Sequence, residues 1–138
     1  MSMSLFVVLA LGAEPNTDEL NLYSKENGHN IQYIENVVLK EYSGFLPAKI
    51  KSQEAGTELY SFPVSDIPEP FKPIVPPKYS EGIVYQLRFG GNPIEAQTAF
   101  TTAIILSSKY NGVVIEDQAG SLMSLEQLTQ SISYFGGM

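Results

Sequence analysis

The stretch Asn92-Pro-Ile-Glu-Ala-Gln-Thr-Ala-Phe-Thr-Thr-Ala-Ile-Ile-Leu-Ser-Ser-Lys-Tyr-Asn-Gly-Val-Val-Ile-Glu-Asp-Gln-Ala-Gly120 decides the fold, because the start, body, stop and continuation of one unit are all written in it. Asn92 suits an N-cap, where its short side chain can accept a hydrogen bond from an otherwise unpartnered helix N–H. Pro93 falls where a missing N–H costs nothing, and Glu95 has the spacing of a capping box. Ile94, Ala96, Ala99, Phe100, Ala103, Ile104, Leu106 and Tyr110 supply the apolar side of a helix over 93–110. Glu95, Gln97, Thr98, Thr101, Thr102 and Lys109 are expected on the complementary side. Asn111-Gly112 supplies a residue that can turn left-handed at the helix end. Val113-Val114-Ile115 is then a β-branched run, stopped by a turn over 117–120. The unit reads as capped helix, tight turn and buried strand.

Upstream, Gly82 to Phe89 alternates as a half-buried strand leading into that helix. Downstream, Ser124 caps a last helix with Gln127 at its third position, with Leu125, Leu128 and Ile132 inward and 135–138 expected as a frayed tail. At the other end of the chain, Leu5 to Leu11 is apolar on both faces, as a central strand would be. Asn16 and Glu19 repeat the capping-box spacing and open a helix that should stop at Asn27-Gly28. Ile31 to Ile34 suits a short strand, and Val37 to Leu39 fits either a strand or a helical turn. Gly44–Lys51 and Gly56–Phe62 both alternate and form a hairpin, expected to close through a four- or five-residue loop.

Pro63, Pro68, Pro70, Pro73, Pro76 and Pro77 fall in one segment. Prolines fix φ and remove donors, so neither helix nor sheet interior is expected there. Ile67, Phe71, Ile74 and Val75 make the segment too apolar for a linker and point to an ordered loop packed on its own body. The fold class is therefore α+β: a single domain over 1–138, with a mostly antiparallel β-sheet of about five or six strands and the capped helix packed on one face.

With 138 residues, 43% hydrophobic and 17% charged, the composition is that of an ordinary globular domain. Cysteine is absent, which excludes disulfides and thiolate chemistry. Asp+Glu number 15 against 8 Lys+Arg, a net charge of −7. A nucleic-acid partner would need cations to displace phosphate counterions, and an acidic chain is drawn instead to basic protein surfaces. The apolar run at Leu5–Leu11 is short and no Lys or Arg precedes it, so it reads as a strand rather than a secretory signal. The expectation is a cytoplasmic protein without membrane or nucleic-acid partners.

Groups able to do chemistry are few. His29 is the only histidine and sits in a Gly28–Asn30 turn, so no metal or cofactor site is expected. Gly90-Gly91-Asn92 precedes a helix but lacks the Lys-Ser/Thr of a phosphate-binding loop. Glu116-Asp117, with Glu81 or Glu126 brought near by folding, could pair carboxylates, although adjacent acids at a strand end read better as turn formers. These residues point away from an enzyme.

The pattern from Gly44-Phe-Leu-Pro47, through the hairpin closing at Gly56-Thr-Glu58, to the Ala-rich helix and Asn111-Gly-Val-Val-Ile-Glu-Asp-Gln-Ala-Gly120 resembles a group of bacterial immunity proteins. These are encoded beside polymorphic or contact-dependent growth inhibition (CDI) toxins, and the likeness extends to about Leu128. The resemblance implies a protein partner, the cognate toxin C-terminal domain, neutralised by occlusion without catalytic residues. It leaves the oligomeric state open. Thr57 stands where an aromatic is usual in the group, and Glu116-Asp117 where a single Asp is usual. The alternative is a non-catalytic module for a small molecule or peptide, its pocket lined by Tyr33, Tyr42, Phe45, Tyr60, Phe71 and Tyr79.

Two toxin-binding surfaces stand out. The first is Asp66, Glu69 and Glu81 around the proline-rich segment, with Phe71 and Tyr79 as aromatic anchors, since hot spots combine aromatics with charge complementarity. The second is the rim formed by Glu116, Asp117 and Glu126, ranked below it for want of an adjacent aromatic.

Overall fold

The apolar run near the N-terminus forms the strand on which both sides of the sheet are built. In the computed structural model, which describes residues 3–136, β1 (Met3–Leu9) pairs antiparallel with β5 (Ile83–Phe89) on one side and β6 (Val113–Glu116) on the other. With β2 (Ile31–Tyr33), β3 (Gly44–Ile50), β4 (Gln53–Pro63) and β7 (Ser121–Met123) this gives a seven-stranded sheet of order β2-β3-β4-β5-β1-β6-β7. Every pairing is antiparallel. β7 is the strand missing from the sequence reading, because three residues between a turn and a helix cap are too few to show alternation. β1 ends at Leu9, earlier than expected, and Leu11 is exposed.

Three helices pack on one face of the sheet: α1 (Thr17–Asn27), α2 (Pro93–Tyr110) and α3 (Leu125–Gly136). Asn16 caps α1 by accepting from the Glu19 N–H, and Gly28 ends it at φ 71°. Asn92 caps α2 by accepting from the Ile94 N–H, and Asn111 ends it in the left-handed region at φ 56°. Ser124 and Gln127 close α3's capping box reciprocally. Phe135 is no frayed end: its ring packs on Phe100 at 5.7 Å and Phe89 at 6.4 Å.

The expected polar side of α2 is corrected by its neighbours. Thr98, Thr101 and Thr102 are all buried, because α2 has the sheet beneath it and α1 and α3 beside it. The hydroxyls of Thr98 and Thr102 are satisfied in a ladder. Thr98 donates to the Ile94 carbonyl and accepts the N–H of Gly56 on β4. Thr102 donates to the Thr98 carbonyl, which leaves the Tyr33 O–H to donate to Thr102 at 2.7 Å. Helix and sheet are thus joined by hydrogen bonds inside an apolar core.

The proline-rich segment covers the opposite face. It forms three short 3₁₀ turns, Val64–Asp66, Glu69–Ile74 and Pro77–Tyr79, where an ordered loop without helix is expected. The latter two carry Pro in their first positions, where its fixed φ fits and its missing N–H is not needed. Val64, Ile67 and Tyr79 bury against Phe6, Val8, Val84 and Ile115, giving the sheet a second core. The segment closes on itself through the Val64 N–H to the Gly82 carbonyl at 3.1 Å. A Cβ on Gly82 would lie 2.0 Å from the Leu9 carbonyl oxygen, so only glycine lets the chain pass the end of β1 here.

The hairpin of β3 and β4 turns tighter than expected. Ile50 pairs with Gln53, leaving only Lys51 and Ser52 in the turn, at φ 50° and 69°. Two left-handed residues are the geometry of a type I′ turn, usually signalled by Asn-Gly, and Lys-Ser gives no such signal. The ambiguous 37–39 segment divides: Val38 makes an isolated antiparallel bridge to Asn16, and Leu39 opens a 3₁₀ turn over Leu39–Glu41.

The edge strand β2 is sealed by α1. Asn21 bonds both the N–H and the carbonyl of Tyr33, at 2.7 and 3.1 Å, and the Ser24 hydroxyl does the same for Ile31 at 3.3 and 2.8 Å. Backbone groups that would recruit a further strand are occupied by side chains.

The polar ladder yields a double-mutant test. Thr102→Val keeps the shape but strands the Tyr33 hydroxyl in the core, at a cost of about 1–3 kcal/mol in urea denaturation. Adding Tyr33→Phe removes the stranded group, so the double variant is expected to be less destabilised than the sum of the two single changes.

Candidate functional site

The proline-rich segment and the β6–β7 turn meet on the sheet face away from the helices. Of the first candidate surface, Asp66, Glu69 and Glu81 are exposed, and Glu69 pairs with Lys72 at 3.0 Å. The two aromatics point the other way. Tyr79 is buried, donates its hydroxyl to the Asn111 carbonyl at 2.8 Å and carries Lys78 over its ring. Phe71 is half-buried, with its ring 5.3 Å from that of Phe6. The sequence offers two readings of these aromatics, contact anchors or packing beneath the loop; both pack into the second core, because the prolines leave the segment's apolar side chains only the sheet to cover.

In the second candidate surface, Glu116 folds back over the turn. Its carboxylate accepts from the N–H groups of Gln118 at 3.0 Å and Ala119 at 2.6 Å. The Asp117 N–H donates to the Ser4 carbonyl, while its Oδ1 is buried without a hydrogen-bond partner. Glu126 lies exposed in the first turn of α3. This surface has no aromatic adjacent in sequence, and folding supplies one: a Cβ on Gly120 would sit 3.8 Å from the Phe71 ring. The two surfaces adjoin at Phe71.

The other sequence-derived residues scatter. Thr57 is fully buried on the helix face and donates to the Arg88 carbonyl, so the hairpin's outer surface does not carry it. Tyr33 lies under α2 and Tyr79 on the opposite face of the sheet, so the six aromatics do not line one pocket. His29 stacks on Tyr23 at 5.9 Å, and partial burial holds its pKa below the ordinary histidine value. It precedes β2 at one end of the strand order, whereas Glu116 ends β6 and Asp117 follows it near the other. Among the described residues no group of three or more His, Cys, Asp or Glu is placed to hold a metal, and no helix is long and apolar enough to cross a membrane.

One feature of the surface was not foreseen. The Lys40 ammonium pairs with Glu14 and holds its carboxyl below the ordinary range. The pair stands at a cleft of about 300 Å³ that also takes in Glu81, Gly82 and Ile83. Glu14 and Lys40 belong to different elements, so no local motif could announce their meeting.

The inward aromatics and outward acids have different energetic weight. Phe71→Ala should lower stability by about 2 kcal/mol, since it uncovers Phe6. Glu69→Gln should stay within about 0.5 kcal/mol, because its ion pair is exposed. Chemical denaturation of both variants checks the contrast.

The chain matches no protein-family model and no curated protein sequence.

Proposed function

We propose that this chain is an immunity protein that binds a cognate bacterial toxin domain of the nuclease class in the cytoplasm of the producing cell and blocks its active site or substrate surface. The observation that carries the reading is a rigid platform bearing three exposed acids, of which Glu69 is paired with Lys72. Asp66, Glu69 and Glu81 stand on a segment stiffened by 3₁₀ turns, tied at its ends by the Val64–Gly82 bond and anchored underneath by Ile67, Phe71 and Tyr79. The ordering entropy of such a surface is met when the chain folds rather than when the partner arrives.

A nuclease presents cations to its phosphate substrate, and a chain of net charge −7 is attracted to that surface over long range. Glu116 and Asp117 extend the acidic surface past Phe71. Inhibition of this kind needs shape and charge, and no catalytic group. The resemblance over Gly44–Leu128 favours the same reading.

Charge reversal separates this role from a purely solubilising one. Asp66→Lys, Glu69→Lys and Glu81→Lys together should slow association with the toxin domain about tenfold or more at low salt and flatten its salt dependence. The melting temperature should hardly move, because all three side chains are exposed. Unchanged association kinetics in stopped flow would remove this surface and leave the Glu116-Asp117 rim as the site.

A further inference from the structure

The lysines of this acidic chain are not scattered evenly. Among the described residues, Lys40, Lys72 and Lys109 are held in ion pairs with Glu14, Glu69 and Glu19, and Lys78 lies over the Tyr79 ring. The remaining three, Lys25, Lys49 and Lys51, are exposed, form no ion pair, and all line one groove beside the β2 edge. That groove measures about 650 Å³ and has no carboxylate in its wall, although acids outnumber bases 15 to 8 in the chain. Its other polar side chains include Asn30, Gln32 and Ser52. The nearest acids by register and sequence are Glu54, cross-strand from Lys49, and Glu26, beside Lys25; neither lines the groove.

The groove is held in shape from below. Asn21 and Ser24 clamp α1 to β2, and the Asn30 carbonyl accepts from the Lys51 N–H at 3.0 Å. The left-handed pair Lys51 and Ser52 then sets the Lys51 side chain at the groove's rim.

We propose that this groove binds a compact phosphate-bearing molecule of about nucleotide size. Three lysines without an ion pair, lining one groove whose wall holds no carboxylate, suit a cluster of phosphate oxygens, to which lysine binds as a point charge. The amides and the Ser52 hydroxyl supply hydrogen bonds to the rest of the ligand, and Leu22, 58% exposed, supplies an apolar contact. The volume falls in the range of small-molecule sites, about 300–1,000 Å³. A net charge of −7 repels long polyanions and leaves a small one as the ligand that fits. This site is separate from the acidic platform and does not depend on the toxin-binding reading.

The test is an NMR titration of the full chain at low salt with two probes, inorganic tripolyphosphate and ATP. Saturable amide shifts are expected around Gly28–Gln32 and Lys49–Ser52, with affinity falling as salt rises. Lys25→Gln, Lys49→Gln and Lys51→Gln together should weaken binding about tenfold or more while leaving the melting temperature unchanged. Lys72→Gln, away from the groove, should change affinity less than about twofold. Tighter binding of ATP than of tripolyphosphate would assign a nucleoside contact to the groove, and equal binding would assign the phosphates alone; both support the site. Absence of shifts at the groove with both probes, or equal losses in the triple variant and in Lys72→Gln, would overturn it.

Discussion

β1 is buried on both faces, and the rest of the structure answers that constraint. Leu5, Val7 and Leu9 point to one side, Phe6 and Val8 to the other, and all five are almost fully inaccessible. A sheet centre that is apolar on both sides must be covered twice, because each uncovered face would leave a large apolar surface in water. α2 supplies the first cover and the proline-rich segment the second. The segment is therefore a structural half of the domain and not an insertion, and its turns and the bare Cα of Gly82 follow from having to pass close over β1.

The two covers differ in how they are joined to the sheet. α2 is tied by the threonine ladder, which fixes its height and rotation through directional bonds from Gly56 and Tyr33. The proline segment is held by aromatic and aliphatic packing and by the Tyr79 bond to Asn111. That second bond couples the segment to the left-handed residue ending α2, so the two covers meet at one end of the sheet. A surface built on such a segment is rigid because its φ angles are fixed before any partner arrives.

Charge is partitioned along the strand order. Asp66, Glu69 and Glu81, with Lys72 and Lys78 among them, lie by the proline segment, whereas three lysines without an ion pair line the groove beside β2 at the far edge, near Glu26 and Glu54. A net charge of −7 describes neither region. Long-range attraction follows the total, and local recognition follows the groups that line a particular surface.

Elements whose signals are local could be read along the chain. Asn16, Asn92 and Ser124 each cap a helix where expected, since a cap is a bond between residues two or three positions apart. The apolar strand near the N-terminus, read as Leu5–Leu11 and found as Met3–Leu9, the alternation of β5 and the α+β class were legible from patterns within single elements. Other features appeared only on folding: the burial of Thr98 and Thr102, the tight Lys51-Ser52 turn, the three-residue strand β7, and the inward aim of Phe71 and Tyr79. Of the candidate site, the acids were legible as residues, but which faced solvent was not. Nor could the approach of Phe71 to the Gly120 turn, or the lining of one groove by Lys25, Lys49 and Lys51, be read along the chain. Periodicity tells which side chains share a face of one element; what lies against that face is set by elements remote in sequence, and that contact decides whether a side chain becomes core, cap or surface.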